Sequence, residues 1–107
     1  MKGTYLGEFE ELVLLTVAVL NGEAYGISIA QVIERESNRS VTISTIHNVL
    51  YRLEAKGYVQ SELGGATAER GGRKKRLFSI TATGHAVLNE SKLLRNKLWD
   101  SMPELGF

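Results

Sequence analysis

The sequence predicts a mainly α-helical single domain with a small β-hairpin, in the order helix, helix, helix, strand, strand, helix. Three observations predict it. Residues 42–57 read as one amphipathic helix with a polar face distinct from its apolar stripe. Residues 70–81, Arg-Gly-Gly-Arg-Lys-Lys-Arg-Leu-Phe-Ser-Ile-Thr, place five cations in seven positions around a Gly-Gly pivot and then alternate like a strand. At 107 residues the chain is long enough for one core and too short for a second catalytic domain. Together these give the order of a winged helix-turn-helix, followed by one further helix.

The first helix is expected over Leu6 to Asn21. Its second half, Leu12 to Leu20, is apolar nearly all round, so it should be sandwiched between other elements, and Asn21-Gly22 should stop it. A second helix begins at Gly26, with Ile29, Val32 and Ile33 inward and Gln31, Glu34 and Arg35 outward, and ends in the turn Ser37-Asn38-Arg39-Ser40. The third takes Thr42 or Ser44 as N-cap, carries a core stripe of Ile43, Ile46, Leu50 and Leu53, and stops at Gly57. Strands follow at Tyr58 to Leu63 and Arg73 to Ile80, the second with Phe78 and Ile80 on one face, joined through a loop with four glycines. The last helix runs from Thr81 to about Met102, where Pro103 ends it. Its apolar positions Val87, Leu88, Leu94, Leu98, Trp99 and Met102 exceed what one small domain can cover. The expected division is a winged-helix unit over 1–81 and a dimerising helix and tail over 82–107.

Charge is informative through its placement, because the net charge is +1. Residues 1–36 hold six acids and two bases, whereas residues 70–76 hold five bases and no acid. One end is therefore built to meet negative charge. Five like charges in seven residues repel one another, and a phosphate backbone supplies the missing counter-charge. Arg70, Arg73, Lys74, Lys75 and Arg76 are accordingly expected on the backbone or minor groove of double-stranded DNA. Ser44, Thr45, His47, Asn48, Tyr51 and Arg52 share the polar face of the third helix. Asn, Arg and Ser/Thr side chains match base edges in the major groove, so these six residues are expected to face it. A protein-binding winged helix is the rival reading; it would want an apolar or acidic face here, and neither is present.

Other classes are excluded by what the chain lacks. There is no cysteine, hence no disulfide framework and no Cys-based zinc finger, which fits a cytoplasmic protein. His47 and His85 are isolated, so neither a metal site nor a cofactor is expected. No P-loop, GxGxxG or nucleophile-elbow pattern occurs, and no catalysis is expected. The nine-residue apolar run at Leu12 falls far short of the ~20 needed to span a bilayer.

The run Thr45-Ile46-His47-Asn48-Val49-Leu50-Tyr51-Arg52-Leu53-Glu54-Ala55-Lys56-Gly57-Tyr58-Val59 resembles the signature of the PadR family of bacterial transcriptional regulators, Thr-Leu-Tyr-Pro-x-Leu-x-Arg-Leu-Glu-x-x-Gly-Leu-Val. Glu11 to Leu15 with Gly22 and Tyr25-Gly26-Ile27-Ser28-Ile29 is similar to its first-helix and Gly-Tyr-x-Ile motifs, and Phe78 to Gly84 to its Tyr-x-Leu-Thr-x-x-Gly. The resemblance spans residues 8–88. It departs from the family at His47-Asn48, where Tyr-Pro is usual, and at Ile27, where Tyr is usual; the Tyr that His47 replaces contacts DNA in the family. What the resemblance implies is a homodimer formed through the C-terminal helix that represses from a two-fold symmetric operator; on that helix Val87, Leu94, Leu98 and Met102 fall at seven- and four-residue intervals along one apolar stripe and are the expected dimer interface. The single C-terminal helix is like that of the small PadR subfamily, some of whose members bind drugs or aromatic compounds at the dimer centre against a tryptophan. Trp99 matches that feature in type and place, which gives it two expected roles of equal standing: a packing residue of the dimer core, or the wall of a pocket for an aromatic effector.

Overall fold

The computed structural model describes residues 6–64 and 75–107. Its elements are α1 (Glu8–Val19), α2 (Gly26–Ser37), α3 (Ile43–Ala55), β1 (Val59–Leu63), β2 (Arg76–Ile80) and α4 (Ala82–Asp100). The order is that of a winged helix with an added C-terminal helix. Arg73 and Lys74, expected at the start of the returning strand, lie outside the described residues with the rest of the loop.

Local chemistry sets the ends of each helix. At the start of α1 the Glu10 carboxylate accepts the Gly7 N–H at 3.0 Å, and the acids of the first turn suit the positive end of the helix dipole. Ser28 does the equivalent for α2 by accepting from the Tyr25 N–H at 3.0 Å. Asn38 closes α2 in the left-handed region, φ 60°, a conformation Asn tolerates better than most residues. Thr42 is the N-cap of α3, its hydroxyl accepting from Thr45 N at 3.1 Å, and Gly57 leaves the helix at φ 82° so that Tyr58 N can reach back to Leu53 O. Thr81 caps α4 and also donates to Gly57 O at 2.7 Å, tying the end of α3 to the start of α4.

β1 and β2 pair antiparallel, with Val59 opposite Ile80, Ser61 opposite Phe78 and Leu63 opposite Arg76. Ala24 forms an isolated bridge to Phe78 on the far side of β2. The hairpin is thereby stitched to the α1–α2 connection as well as to α3. Phe78, Leu14, Ile29, Ile33, Ile46 and Leu50 are fully buried side chains at the centre of the core. Gly84 lies against the Tyr58 carbonyl so closely that no side chain fits, which brings the first turns of α4 onto the hairpin.

Three packing expectations need correction. Ile43 is 38% exposed, and Val49 fills the core in its place, because the buried stripe follows 46, 49, 50 and 53 while the first turn of α3 projects past the core. α1 is not covered all round: Leu15 and Val19 are exposed although Val13, Leu14 and Val17 are buried. Val87, expected at a dimer interface, is 5% exposed and packs with Leu88 in the core of its own chain. Its seven-residue spacing does put it on the same side of α4 as Leu94 and Leu98. What differs is that the stripe begins inside the domain and leaves it halfway along α4, where every residue from 92 to 107 is exposed.

Candidate nucleic-acid interface

Helical geometry makes Ser44, Asn48 and Tyr51 one outer ridge of α3, flanked on one side by Thr45 and Arg52 and on the other by His47. Ser44, Thr45, Asn48, Tyr51 and Arg52 are all exposed. Their availability differs. The Thr45 hydroxyl accepts from Thr42 at 2.9 Å, so its donor remains for an external acceptor. Among the described residues the Asn48 side chain has no hydrogen-bond partner, and its amide can present both a donor and an acceptor, the pair that an adenine edge requires.

Arg52 is held from behind. Its Nε donates to Glu10 Oε2 at 3.2 Å, and Lys56 Nζ reaches both Glu10 oxygens at 3.0 and 3.1 Å. Burial pushes the Glu10 carboxyl upward, but the hydrogen bonds from Gly7 N–H, Lys56 and Arg52 and the Lys56 charge outweigh it and hold it below the usual carboxylate range. Glu10 is 8% exposed and was not among the residues singled out from the sequence. An acid in a first helical turn reads there as a dipole partner, and nothing local announces cations from 42 and 46 residues further on. The other acids of α1 act alike: Glu8 pairs with Arg39 at 2.7 Å and Glu11 with Arg95 at 3.0 Å. Glu8, Glu10 and Glu11 thus neutralise cations of other elements of their own fold.

His47 turns inward from the ridge. Its ring centroid lies 5.9 Å from Tyr51 and 6.4 Å from Phe78, and its buried Nδ1 has no hydrogen-bond partner among the described residues.

Of the predicted cations in the hairpin, Arg70, Arg73 and Lys74 lie outside the described residues. Lys75 is described, with its ammonium 4.2 Å from the centroid of the Tyr25 ring, a cation–π arrangement that fixes the base of the loop against the α1–α2 connection. Arg76 donates to the Ser61 hydroxyl at 3.0 Å, and Ser61 in turn donates to Glu54 at 2.8 Å. That chain braces the hairpin to the last turn of α3.

The far half of α4 carries a second surface. Leu94 and Leu98 are 58% and 60% exposed and lie on one side of the helix, Met102 is exposed beside them, and Leu93 is exposed about 100° round the helix from Leu94. Trp99 is 69% exposed at the edge of a groove of ≈570 Å³ between α1 and α4, lined also by Leu15, Ala18, Leu88, Lys92 and Arg95. Glu11 crosses the two helices here, bonding Ser91 and Arg95. Among the described residues no group of three His, Cys, Asp or Glu is placed to hold a metal ion, and no helix is long and apolar enough to cross a membrane.

Residues 14–90 match the family described as Transcriptional regulator PadR-like family. Among solved structures, a PadR family transcription regulator from hypervirulent Clostridium difficile R20291 is similar at 23% identity, over 90% of this chain and 95% of that one, with a TM-score of 0.72. A PadR-like transcription factor from Bacteroides fragilis is similar at 23% identity, over 87% and 84%, with a TM-score of 0.71. A PadR-like transcriptional regulator from Bacillus cereus strain ATCC 14579 is similar at 18% identity, over 87% and 85%, with a TM-score of 0.70. No curated protein matches the chain.

Proposed function

Since the chain belongs to the PadR-like family of transcriptional regulators and is thereby a DNA-binding regulator, we propose that it is a cytoplasmic repressor that grips a two-fold symmetric operator as a homodimer. The observation that carries this reading is the pair of open surfaces on one rigid head: the ridge of α3, and the uncovered Leu94–Leu98 side of α4. Ser44, Thr45, Asn48 and Tyr51 face the major groove, with Arg52 at its edge. Arg70, Arg73, Lys74, Lys75 and Arg76 serve the phosphate backbone or the minor groove. Residues 1–81 supply DNA binding and 82–107 dimerisation, and the two are coupled because Gly84, Val87 and Leu88 are rooted in the core of the head. Two heads so joined meet half-sites about one helical turn, ~34 Å, apart.

Selection of the preferred site from randomised duplex DNA tests this reading. An inverted repeat is expected. Asn48→Ala should then relax preference at one position of each half-site by ~1–3 kcal/mol and leave binding to random DNA unchanged. Equal losses on both DNAs would make Asn48 a backbone contact or a fold residue.

The groove beside Trp99 supports an effector function. A planar aromatic compound bound there, at the dimer centre, stacks on the indole and favours one angle between the heads, so the operator fits less well. Binding should quench Trp99, the sole tryptophan, and should lower operator affinity by the factor by which operator lowers effector affinity. Trp99→Ala should abolish that response and keep operator binding; if it dissociates the dimer instead, Trp99 is a packing residue.

A further inference from the structure

Position 47 stands where the family signature has a residue that touches DNA, yet the geometry of His47 suits a different task. A side chain that reads a base must offer its donors and acceptors outward. The His47 Nδ1 is sealed from solvent with no partner among the described residues, and its other nitrogen faces Gly26, the first residue of α2. Gly26 is buried, and a Cβ placed there would stand 2.7 Å from His47 Nε2, 3.3 Å from its Cδ2 and 3.2 Å from Ile43 Cγ2. The missing methyl is thus a notch that accepts the imidazole edge. On its other sides the ring meets buried Phe78 of β2, tilted by 58°, and Tyr51 on the outer ridge, tilted by 35°.

We infer that His47 is a positioning residue for DNA recognition: seated in the Gly26 notch and against Phe78, it sets the roll of α3 relative to α2 and the hairpin and holds Tyr51 at the angle at which Tyr51 meets DNA, while reading no base itself. This rests on α3 being the reading helix. The unpartnered Nδ1 accords with it, since an imidazole chosen for shape and wedged among apolar neighbours keeps a polar atom that nothing satisfies. The pairing of Gly26 with His47 also makes the two positions interdependent. A side chain at 26 and a ring at 47 cannot occupy the same space.

The test uses the full chain and its preferred duplex, selected from a randomised pool, with affinities measured by fluorescence anisotropy for every single base-pair change in that duplex. Circular dichroism and thermal midpoints monitor the fold. His47→Ala should weaken binding about tenfold, spread over the base positions that Asn48→Ala and Tyr51→Ala also affect, with no position of its own. Gly26→Ala should weaken it at least as much, and Gly26→Ala with His47→Ala should bind no worse than Gly26→Ala alone, because the second change removes the ring that the new methyl strikes. Should Gly26→Ala fail to fold, the His47→Ala profile decides. A base pair relaxed by His47→Ala and by neither Asn48→Ala nor Tyr51→Ala overturns the inference, as do losses that simply add in the double variant. Unaltered base preferences in both Asn48→Ala and Tyr51→Ala would instead remove α3 as the reading helix, a failure separate from that of His47.

Discussion

Replacing Leu94 and Leu98 together with glutamate is expected to leave a folded monomer that no longer holds an inverted-repeat operator. Both side chains are more than half exposed in the single chain and share one side of α4, so a second copy is their natural cover. A buried leucine contributes about 1.5–3 kcal/mol, and two-fold symmetry counts each position twice, so the change removes on the order of 6 kcal/mol from association. That is roughly a 10⁴-fold rise in the dimer dissociation constant, before any repulsion among four carboxylates. Sedimentation velocity at micromolar concentration should show the shift from dimer to monomer, and circular dichroism should show the helices retained, because neither leucine belongs to the core of the head. Leu93→Glu is the control. Leu93 is as exposed as Leu94 but lies about 100° round the helix from it, off the Leu94–Leu98 stripe, so its replacement should leave the dimer intact. A wild-type chain that sediments as a monomer would remove the two-fold grip altogether.

Glu10→Gln is the second large effect, and it concerns stability. The carboxylate is buried and simultaneously accepts from Gly7 N–H, Arg52 and Lys56, so the amide forfeits the charge to which two cations are turned. Breaking a fully buried pair costs about 3–5 kcal/mol; here Arg52 and Lys56 are partly solvated and can recover some hydration, which brings the expectation to about 2 kcal/mol. For a domain of this size that lowers Tm by about 8–16 °C. The pH dependence has a definite sign. The folded Glu10 carboxyl is depressed below its ordinary value of 4.5, so its contribution is fully present above pH 4.5 and is lost as pH falls through the folded value. Wild type should therefore shed stability on acidification below that point, and Glu10→Gln should shed less over the same interval. Parallel acid limbs for the two proteins would show that the carboxylate adds nothing to the fold.

The sequence made the sides of each helix legible but not their partners. Thr42, Gly57 and Thr81 punctuate α3 and α4 through local hydrogen bonds that any reader of caps and turns can anticipate, and the alternation through Phe78 and Ile80 marks β2. Arg52 and His47 share the polar half of α3 by periodicity, yet one is drawn back to Glu10 and the other is tucked beside Gly26. Those outcomes depend on α1 and α2 crossing α3 at particular places. Val87 shows the same limit on α4: seven-residue spacing groups it with Leu94, and only the reach of the head over the first turns of that helix separates buried from exposed. The resemblance of the stretch 45–59 to the PadR signature supplied what periodicity could not, the family itself.

The α1 carboxylates have one more consequence, for ionic strength. A cation contributes to the salt dependence of DNA binding when it displaces a condensed counterion from a phosphate, lowering log K against log salt by about 0.9 per contact on B-form DNA. Arg39, Arg52, Lys56 and Arg95 each already stand beside a carboxylate of the same chain, so a phosphate would have to compete with that anion for them. The basic stretch at 70–76 contains no acid at all. On the proposed reading, the salt response of DNA binding should come mainly from the cations of residues 70–76, while the polar face of α3, whose Arg52 is already paired with Glu10, should keep its discrimination as the ionic strength of its surroundings changes.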